Sequence, residues 1–319
     1  MKIPIFRARA HVAMLVFLAI LPAHTPVIAW DGTGHKVVTR IAWEQLTPET
    51  QKKVHEILTG APEDCGILNM LTFGLPPGVK EREFFMAVSN WADNLRDELM
   101  PVRRRAYNHG TWHYTDYFWE SGPNGPVDRP DILPDKENAA ERLAILREVA
   151  RDASRPRGER AIAIAWILHI VGDLHQPLHC SARVTPAEPK GDQGGNLFKL
   201  EDKPERAFNL HSYWDSLISR AMPRKNNECE DNYIARVARE TQKRYGPATF
   251  AAGMKPDAYD EWVRDGFATS KASIYPATLK RLEMPSRQYL NAAWKIAQPR
   301  LALAGYRLAE LLNRILKEA

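Results

Sequence analysis

Apolar positions along this chain recur mostly at helical spacing, and they begin with a segment of a different kind. Residues 12–21 form a short continuous apolar run. Lys2, Arg7 and Arg9 precede it, and the small-residue stretch Val27-Ile28-Ala29 follows it. A basic start, a short apolar middle and small residues before a cut are the anatomy of a secretory leader, and the run is too short for a comfortable transmembrane span. Residues 1–29 therefore read as a signal peptide and residues 30–319 as the exported domain, periplasmic or extracellular, with no stable membrane anchor after cleavage. Beyond the leader, Thr47-Pro48 opens a helix that Gly60 stops, with Thr as cap and Pro in the first turn. Helical periodicity also marks residues 82–99, 137–152, 158–176, 207–221, 228–245 and 257–272. It marks 288–317 as well, with a possible break at Pro299. Residues 161–171 are apolar nearly all round, as in a buried central helix. One short strand or hairpin is expected near Asn196–Leu200, and loops over 60–80, 120–136 and 183–206. With no repeat, low-complexity tract or linker, the reading is one all-α domain, a single helical bundle with at most a short hairpin.

Composition changes this picture little. Without the leader the chain keeps 41 basic and 39 acidic residues, a net +2, which does not describe a protein that wraps duplex nucleic acid. The three cysteines all lie beyond the leader. An odd count leaves one thiol over, and Cys65 with Cys229 is the expected pair. No thiolate spacing suits a metal, so any metal is held by nitrogen and oxygen.

The histidines and carboxylates carry the chemistry. In His169-Ile-Val-Gly-Asp173-Leu-His175-Gln-Pro177-Leu-His179, His169 and Asp173 sit four apart. On a helix they project about 40° from one another, one turn along, and can meet one cation. Pro177 ends or kinks the helix and re-aims His179. A second i,i+4 pair is His211 and Asp215. Asp93 in Trp91-Ala-Asp93-Asn94 and His113 in Trp112-His113-Tyr-Thr-Asp116 add further donors. A lone His–Asp pair is usually a surface or capping contact. An ionised Asp173 inside an otherwise apolar helix is costly to bury unless a metal or another cation accompanies it. Nitrogen and oxygen ligands favour zinc, with manganese or iron left open by ligand type. Trp30 would become the new N-terminus, and its free amine and carbonyl can chelate a metal near His35. His175 points off the shared face and is assigned a hydrogen bond or exposure, and His55 and His109 read as solvated. The tryptophans (Trp43, Trp91, Trp112, Trp119, Trp166, Trp214) read mostly as core. Arg103-Arg104-Arg105 is either a surface run or a guide for a polynucleotide.

In order along the chain, Trp30…His35, Trp-Ala-Asp93, His113…Asp116, His169…Asp173…His179, Gly194-Gly195-Asn196 and His211…Asp215 resemble the secreted zinc-dependent single-strand nucleases and 3′-nucleotidases of fungi, plants and bacteria. That family shares its fold with zinc-dependent bacterial phospholipases C. The resemblance implies three zinc ions. Asp93, His113, His169 and Asp173 would hold one, and Trp30, His35 and the other oxygen of Asp173 a second. His179, His211 and Asp215 would hold the third. It implies that Asp116 orients or deprotonates the attacking water, or else holds His113, and that Arg96 meets the phosphate. Tyr114 and Asn196 are implied to contact the base or sugar, against the plainer readings of a core aromatic and an ordinary turn. The implied activity is endonucleolytic cleavage of single-stranded RNA and DNA to 5′-phosphorylated products, with 3′-nucleotidase activity, by a monomer. A phospholipase C is the alternative. Asp215, where those lipases typically carry Glu, and the Gly-Gly-Asn turn they lack both favour the nuclease. A non-catalytic zinc-binding surface protein is a third reading, opposed by the full ligand set with Asp116 and Arg96.

Overall fold

The computed structural model describes residues 30–203 and 206–317, so the leader and its cleavage lie outside the described residues. The helices are α1 (Gly32–Trp43), α2 (Pro48–Leu58), α3 (Val79–Val88), α4 (Trp91–Asn94), α5 (Pro101–Tyr107), α6 (Ala139–Arg151), α7 (Arg157–Asp173), α8 (Leu210–Asp215), α9 (Leu217–Ala221), α10 (Glu230–Arg244), α11 (Tyr259–Ser273) and α12 (Arg287–Lys317). At the centre lies α7, buried along every residue from Ala163 to Asp173, with α1, α2, α4, α6 and α12 packed around it. This is the helical architecture expected from the periodicity.

The differences from that expectation have identifiable causes. The α1 helix carried no clear signal because Gly32 and Gly34 dilute its start. It begins where the Asp31 carboxylate accepts from the Thr33 and Gly34 amides, 3.1 Å each. The single helix expected over 82–99 is broken after Val88. There the Ser89 hydroxyl turns back onto the Met86 carbonyl, and α4 restarts at Trp91. The segment 207–221 resolves into β5 (Arg206–Asn209), α8 and α9, with the Asn209 side chain accepting from the Ser212 amide to start α8. Conversely, α12 continues through Pro299 without a break, because its buried face is held by α1, α2, α7 and α10.

Strand content exceeds one hairpin. Strands β1 (Tyr117–Gly122), β2 (Gly125–Asp128) and β3 (Ser181–Val184) form a sheet in the order β2-β1-β3, with β1 and β3 parallel. The expected hairpin is β4 (Lys199–Lys203) against β5. These strands are four to six residues long, too short for period-two alternation to stand out from loop sequence.

The Cys65–Cys229 pairing is not formed. Cys65 is buried and its thiol donates to the Pro62 carbonyl, Cys229 is exposed at the start of α10, and all three thiols are free. Neither His55 nor His109 is simply solvated. The His55 ring meets Phe84 edge-on, and His109 stacks on Trp112 at 3.8 Å between centroids. Trp112 itself is half-buried, whereas Trp43, Trp91, Trp119, Trp166 and Trp214 are core.

Helix α12 meets α1 at Gly305, where a Cβ would stand 2.6 Å from the Ile41 side chain and 3.0 Å from the Val38 carbonyl. Gly305→Ala is expected to destabilise the protein by about 1–3 kcal/mol through overpacking, read as a lower urea midpoint at unchanged slope.

Candidate metal centre

Four separate stretches of chain converge at the C-terminal end of α7. The break between α3 and α4 brings Asp93 there and leaves the Ser89 carbonyl to accept from His169 Nδ1 at 2.7 Å. A 3-10 turn, Gly110–His113, delivers His113. His35 arrives on α1, which approaches α7 closely: a Cβ on Gly172 would lie 2.7 Å from His35 Nδ1. A second turn, Pro177–Cys180, presents His179 beside His211 and Asp215 of α8.

Three groups of donor atoms result, each with all members within 4.8 Å of one another. They are His35, His169 and Asp173; Asp93, His113 and His169; and His179, His211 and Asp215. Asp173 is fully buried and divides its oxygens. One oxygen is 3.2 Å from both His113 Nδ1 and His169 Nε2, and the other is 3.2 Å from His35 Nε2. Asp93 lies 3.6 Å from His169 and 3.9 Å from His113, and Arg96 sits one turn on, 3.2 Å from Asp93. In the third group His179 Nε2 and His211 Nε2 are 3.0 Å apart, with Asp215 oxygens at 3.6 and 4.0 Å. Trp30 is buried, and the Asp31 amide donates to the Asp215 carbonyl, so the segment expected to begin the mature chain is fixed beside the third group.

The hydrogen bonds behind these rings set their tautomers. Nδ1–H donates to Ser89 in His169, to the His113 carbonyl in His179 and to the Gly194 carbonyl in His211. In His179 and His211, which burial keeps neutral, Nε2 is then a lone pair directed inward. Two such lone pairs 3.0 Å apart, as in His179 and His211, repel unless a cation lies against both. Buried polar atoms without hydrogen-bond partners also collect here: His35 Nδ1 and Nε2, His113 Nε2, one oxygen each of Asp93 and Asp173, and an Arg96 nitrogen. Native interiors rarely leave such atoms unpaired. Neutral imidazoles aimed at carboxylates with no thiolate are the donor set of a nitrogen- and oxygen-ligated divalent ion, and the arrangement fits one.

The rings differ in charge: protonation is disfavoured on every imidazole of the three groups except His169. Burial pushes His113 and His211 down to about 3, holding them neutral. Burial also opposes charge on His169, but the Asp173 and Asp93 carboxylates outweigh it and raise it to about 9. Asp173 is held well below the usual carboxylate range: burial works against ionisation, and the imidazoles facing it prevail. Asp215 is driven well above that range by burial, relieved in part by Gln176.

The remaining candidates are not members of the three donor groups. Asp116 immediately precedes β1, is half-buried, accepts from the Ser181 amide, and has one buried oxygen with no partner. Burial and the nearby Asp192 push it well above the ordinary carboxylate value. His113 Nε2 has no hydrogen-bond partner, so Asp116 does not hold that ring by such a bond. Tyr114 is half-buried and donates to Asp135 at 2.9 Å. Asn196 donates to the Gln193 carbonyl, and its own carbonyl accepts weakly from Asn209 at 3.4 Å. The preceding glycines are structural: Gly194 has φ +60°, and a Cβ there would stand 2.3 Å from the Leu178 carbonyl.

Sequence reasoning missed the supports. Gln176 is fully buried, donates to Asp215 at 2.8 Å and accepts from the Leu178 amide, so one side chain sets both Asp215 and the turn that carries His179. Its place inside the His-rich motif was the available signal. His175 is buried rather than exposed. Its Nδ1–H donates to the Val171 carbonyl, and its Nε2 accepts from Arg307 at 2.9 Å, while Arg300 grips its carbonyl at 2.8 Å. Nothing local in the sequence joins residues 175, 300 and 307.

A family model described as S1/P1 Nuclease matches residues 30–317. The chain is 25% identical to Endonuclease 2 of Arabidopsis thaliana, over 96% of this chain and 97% of that protein. It is 20% identical to Nuclease P1 of Penicillium citrinum, over 90% and 97% respectively. For Nuclease S1 of Aspergillus oryzae the identity is 23%, over 90% and 91%.

Gln176→Ala leaves a buried carboxylate without its donor; a stability loss of about 1–3 kcal/mol is expected together with weaker retention of metal at the third group, read by denaturation and metal analysis. His175 is lowered well below its usual value by burial and by Arg307 and Arg300, so the folded state keeps it neutral. Below pH 6.5 the unfolded chain takes up a proton that the folded chain refuses. Its contribution is therefore fully present above pH 6.5 and is lost at up to about 1.4 kcal/mol per pH unit as pH falls. Denaturation at pH 7 and pH 5 should show a smaller loss for His175→Gln than for the wild type.

Proposed function

The chain belongs to the S1/P1 nuclease family, and on that premise we propose that it is an exported, monomeric, zinc-dependent endonuclease. It cleaves phosphodiester bonds of single-stranded RNA and DNA to 5′-phosphorylated products and acts as a 3′-nucleotidase. The observation that carries this reading is Asp173, whose two oxygens face separate sets of imidazoles and can bridge two cations.

Asp93, His113, His169 and Asp173 would hold one zinc. The amine and carbonyl of Trp30, freed by cleavage after Ala29, would hold a second with His35 and Asp173. His179, His211 and Asp215 would hold the third. Bound ions of this kind lower the pKa of a water nucleophile and offset negative charge on the phosphate.

The protein's own groups supply the rest. Arg96, anchored 3.2 Å from Asp93, presents its remaining donors to the phosphate oxygens, where charge grows in the transition state. Asp116, whose burial raises its proton affinity, takes the proton that water gives up on attack. Water's oxygen bonds to phosphorus, the P–O3′ bond breaks, the leaving 3′-oxygen takes up a proton from solvent or from Asp116, and the phosphate stays on the 5′-oxygen of the nucleotide that followed the break. Tyr114 and Asn196 contact the base or sugar next to the cleaved bond. An unpaired base offers its face to such groups and a paired one does not.

Protein beginning at Trp30 is expected to hold about three zinc ions by elemental analysis. It should hydrolyse single-stranded RNA, single-stranded DNA and a 3′-nucleotide, but not phosphatidylcholine, and chelation should abolish the activity. Lipid cleavage alone would move the protein to the phospholipase branch, and zinc without turnover would make it a binding protein. Asp116→Asn should lower kcat by about 10²–10⁴ at unchanged zinc content. One extra residue ahead of Trp30 should lower the zinc content, because it turns the amine into an amide.

A further inference from the structure

Helix α5 is the only α-helix among the described residues with no buried residue. Packing does not explain it, since it is tied down from one side only. Arg103 Nε donates to the Asp64 carbonyl at 2.9 Å, and its guanidinium occupies the space where a Cβ on Gly66 would be. One turn later the Tyr107 hydroxyl donates to the Asp64 carboxylate at 3.0 Å, and its ring lies 6.1 Å from Trp91. Residues 103 and 107 share a face, so the rest of the helix and its lead-in point away from the body.

What points away is both apolar and basic. Leu99 is 85% exposed, Val102 80% and Met100 49%. Arg105 is exposed with no ion pair among the described residues, and Arg104 has only a solvated contact to Glu98 at 3.4 Å. Exposing three large aliphatic side chains within four residues costs solvation that an unused surface has no reason to bear.

The placement of this segment is fixed by the candidate centre. It forms the connection between two of the centre's strands of ligands: Asp93 and Arg96 lie immediately before it, and His109, stacked on Trp112, leads from it into His113. The segment is thus joined at both ends to residues of the candidate centre.

We propose that the outward face of residues 99–105 is a contact surface for single-stranded nucleic acid beyond the scissile bond. Arg104 and Arg105 meet the phosphates, and Leu99, Met100 and Val102 lie against the faces of unpaired bases. This rests on the nuclease reading for the identity of the polymer. An unpaired strand offers what this surface complements, regularly spaced negative charge beside exposed apolar rings, whereas a duplex keeps its base faces stacked inside. A mononucleotide is too small to reach the surface, so the surface separates long substrates from short ones.

The test uses the zinc-loaded protein and a fluorescent phosphorothioate 20-mer checked to remain intact, with binding read by anisotropy over a range of salt. A trimer, a 20-base-pair duplex and vesicles of phosphatidylglycerol and phosphatidylcholine serve as comparisons. The double substitution Arg104→Gln and Arg105→Gln should weaken 20-mer binding about ten-fold at low salt. It should also flatten the slope of log affinity against log salt by about 1.4, roughly 0.7 per lost phosphate contact. Trimer binding, 3′-nucleotide turnover and the thermal midpoint should not change. Leu99→Ser with Val102→Ser should weaken 20-mer binding at an unchanged salt slope. Unchanged 20-mer affinity in both double variants would overturn the proposal, as would equal losses for trimer and 20-mer. Duplex binding as tight as single-strand binding through the same residues would also overturn it. Vesicle binding that is lost in the variants while 20-mer binding persists would reassign the surface to lipid. If the wild type turns over no 3′-nucleotide but binds the 20-mer through these residues, the activity reading fails and the surface stands.

Discussion

Everything at the centre of this protein depends on keeping Asp173 ionised where no water reaches it. A lone carboxylate there would take up a proton rather than bear the loss of hydration. Three imidazoles surround it, His169 from its own helix and His35 and His113 from two other parts of the fold, and their reach depends on contacts further out. The Ser89 carbonyl fixes His169, and the break between α3 and α4 is what frees that carbonyl. Gly172 lets α1 come close enough for His35 to reach the second oxygen. A straight helix through residues 82–99, or any side chain at position 172, would remove one of these partners.

The third group depends on a different device. Pro177 ends the run of α7, and the turn that follows would be poorly supported by its own few residues. It is supported from behind by residues distant in sequence. Arg300 holds the His175 carbonyl and also pairs with Asp265, while Arg307 holds the His175 ring and lies 4.8 Å over Trp262. From the front, Gln176 ties the turn to Asp215. The long helix α12 thus connects the outer bundle to the aim of His179. Two buried arginines are tolerable there because each is engaged by carbonyls, carboxylate or ring.

The two halves of the centre also differ in electrostatic character. Around Asp173 the excess of imidazole favours the ionised acid, whereas Asp215 and Asp116 lie where burial favours the neutral form. Such a separation of proton affinities within one site is the usual mark of chemistry rather than of scaffolding.

Much of this was legible in the amino-acid sequence. Helical periodicity located most of the bundle, and the i,i+4 spacing of His169 with Asp173 and of His211 with Asp215 placed each pair on one helical face, since helix geometry is local. The same locality explains the failures. Strands of four to six residues draw their stability from partners elsewhere, so β1 to β3 left no readable alternation. Nothing in the sequence around Pro299 shows that neighbouring helices would carry α12 past it. A cysteine count carries no information about whether Cys65 and Cys229 meet, and in the fold one is buried and the other exposed. Residue type and spacing alone mark which side chains can bind cations and which pairs share a helical turn. The closed fold settles which pairs face one another, how Asp173 divides its oxygens, and that Gln176, Arg300 and Arg307 hold the frame. Those are contacts between segments far apart in the chain, and the energy that selects them exists only once the core has closed around them.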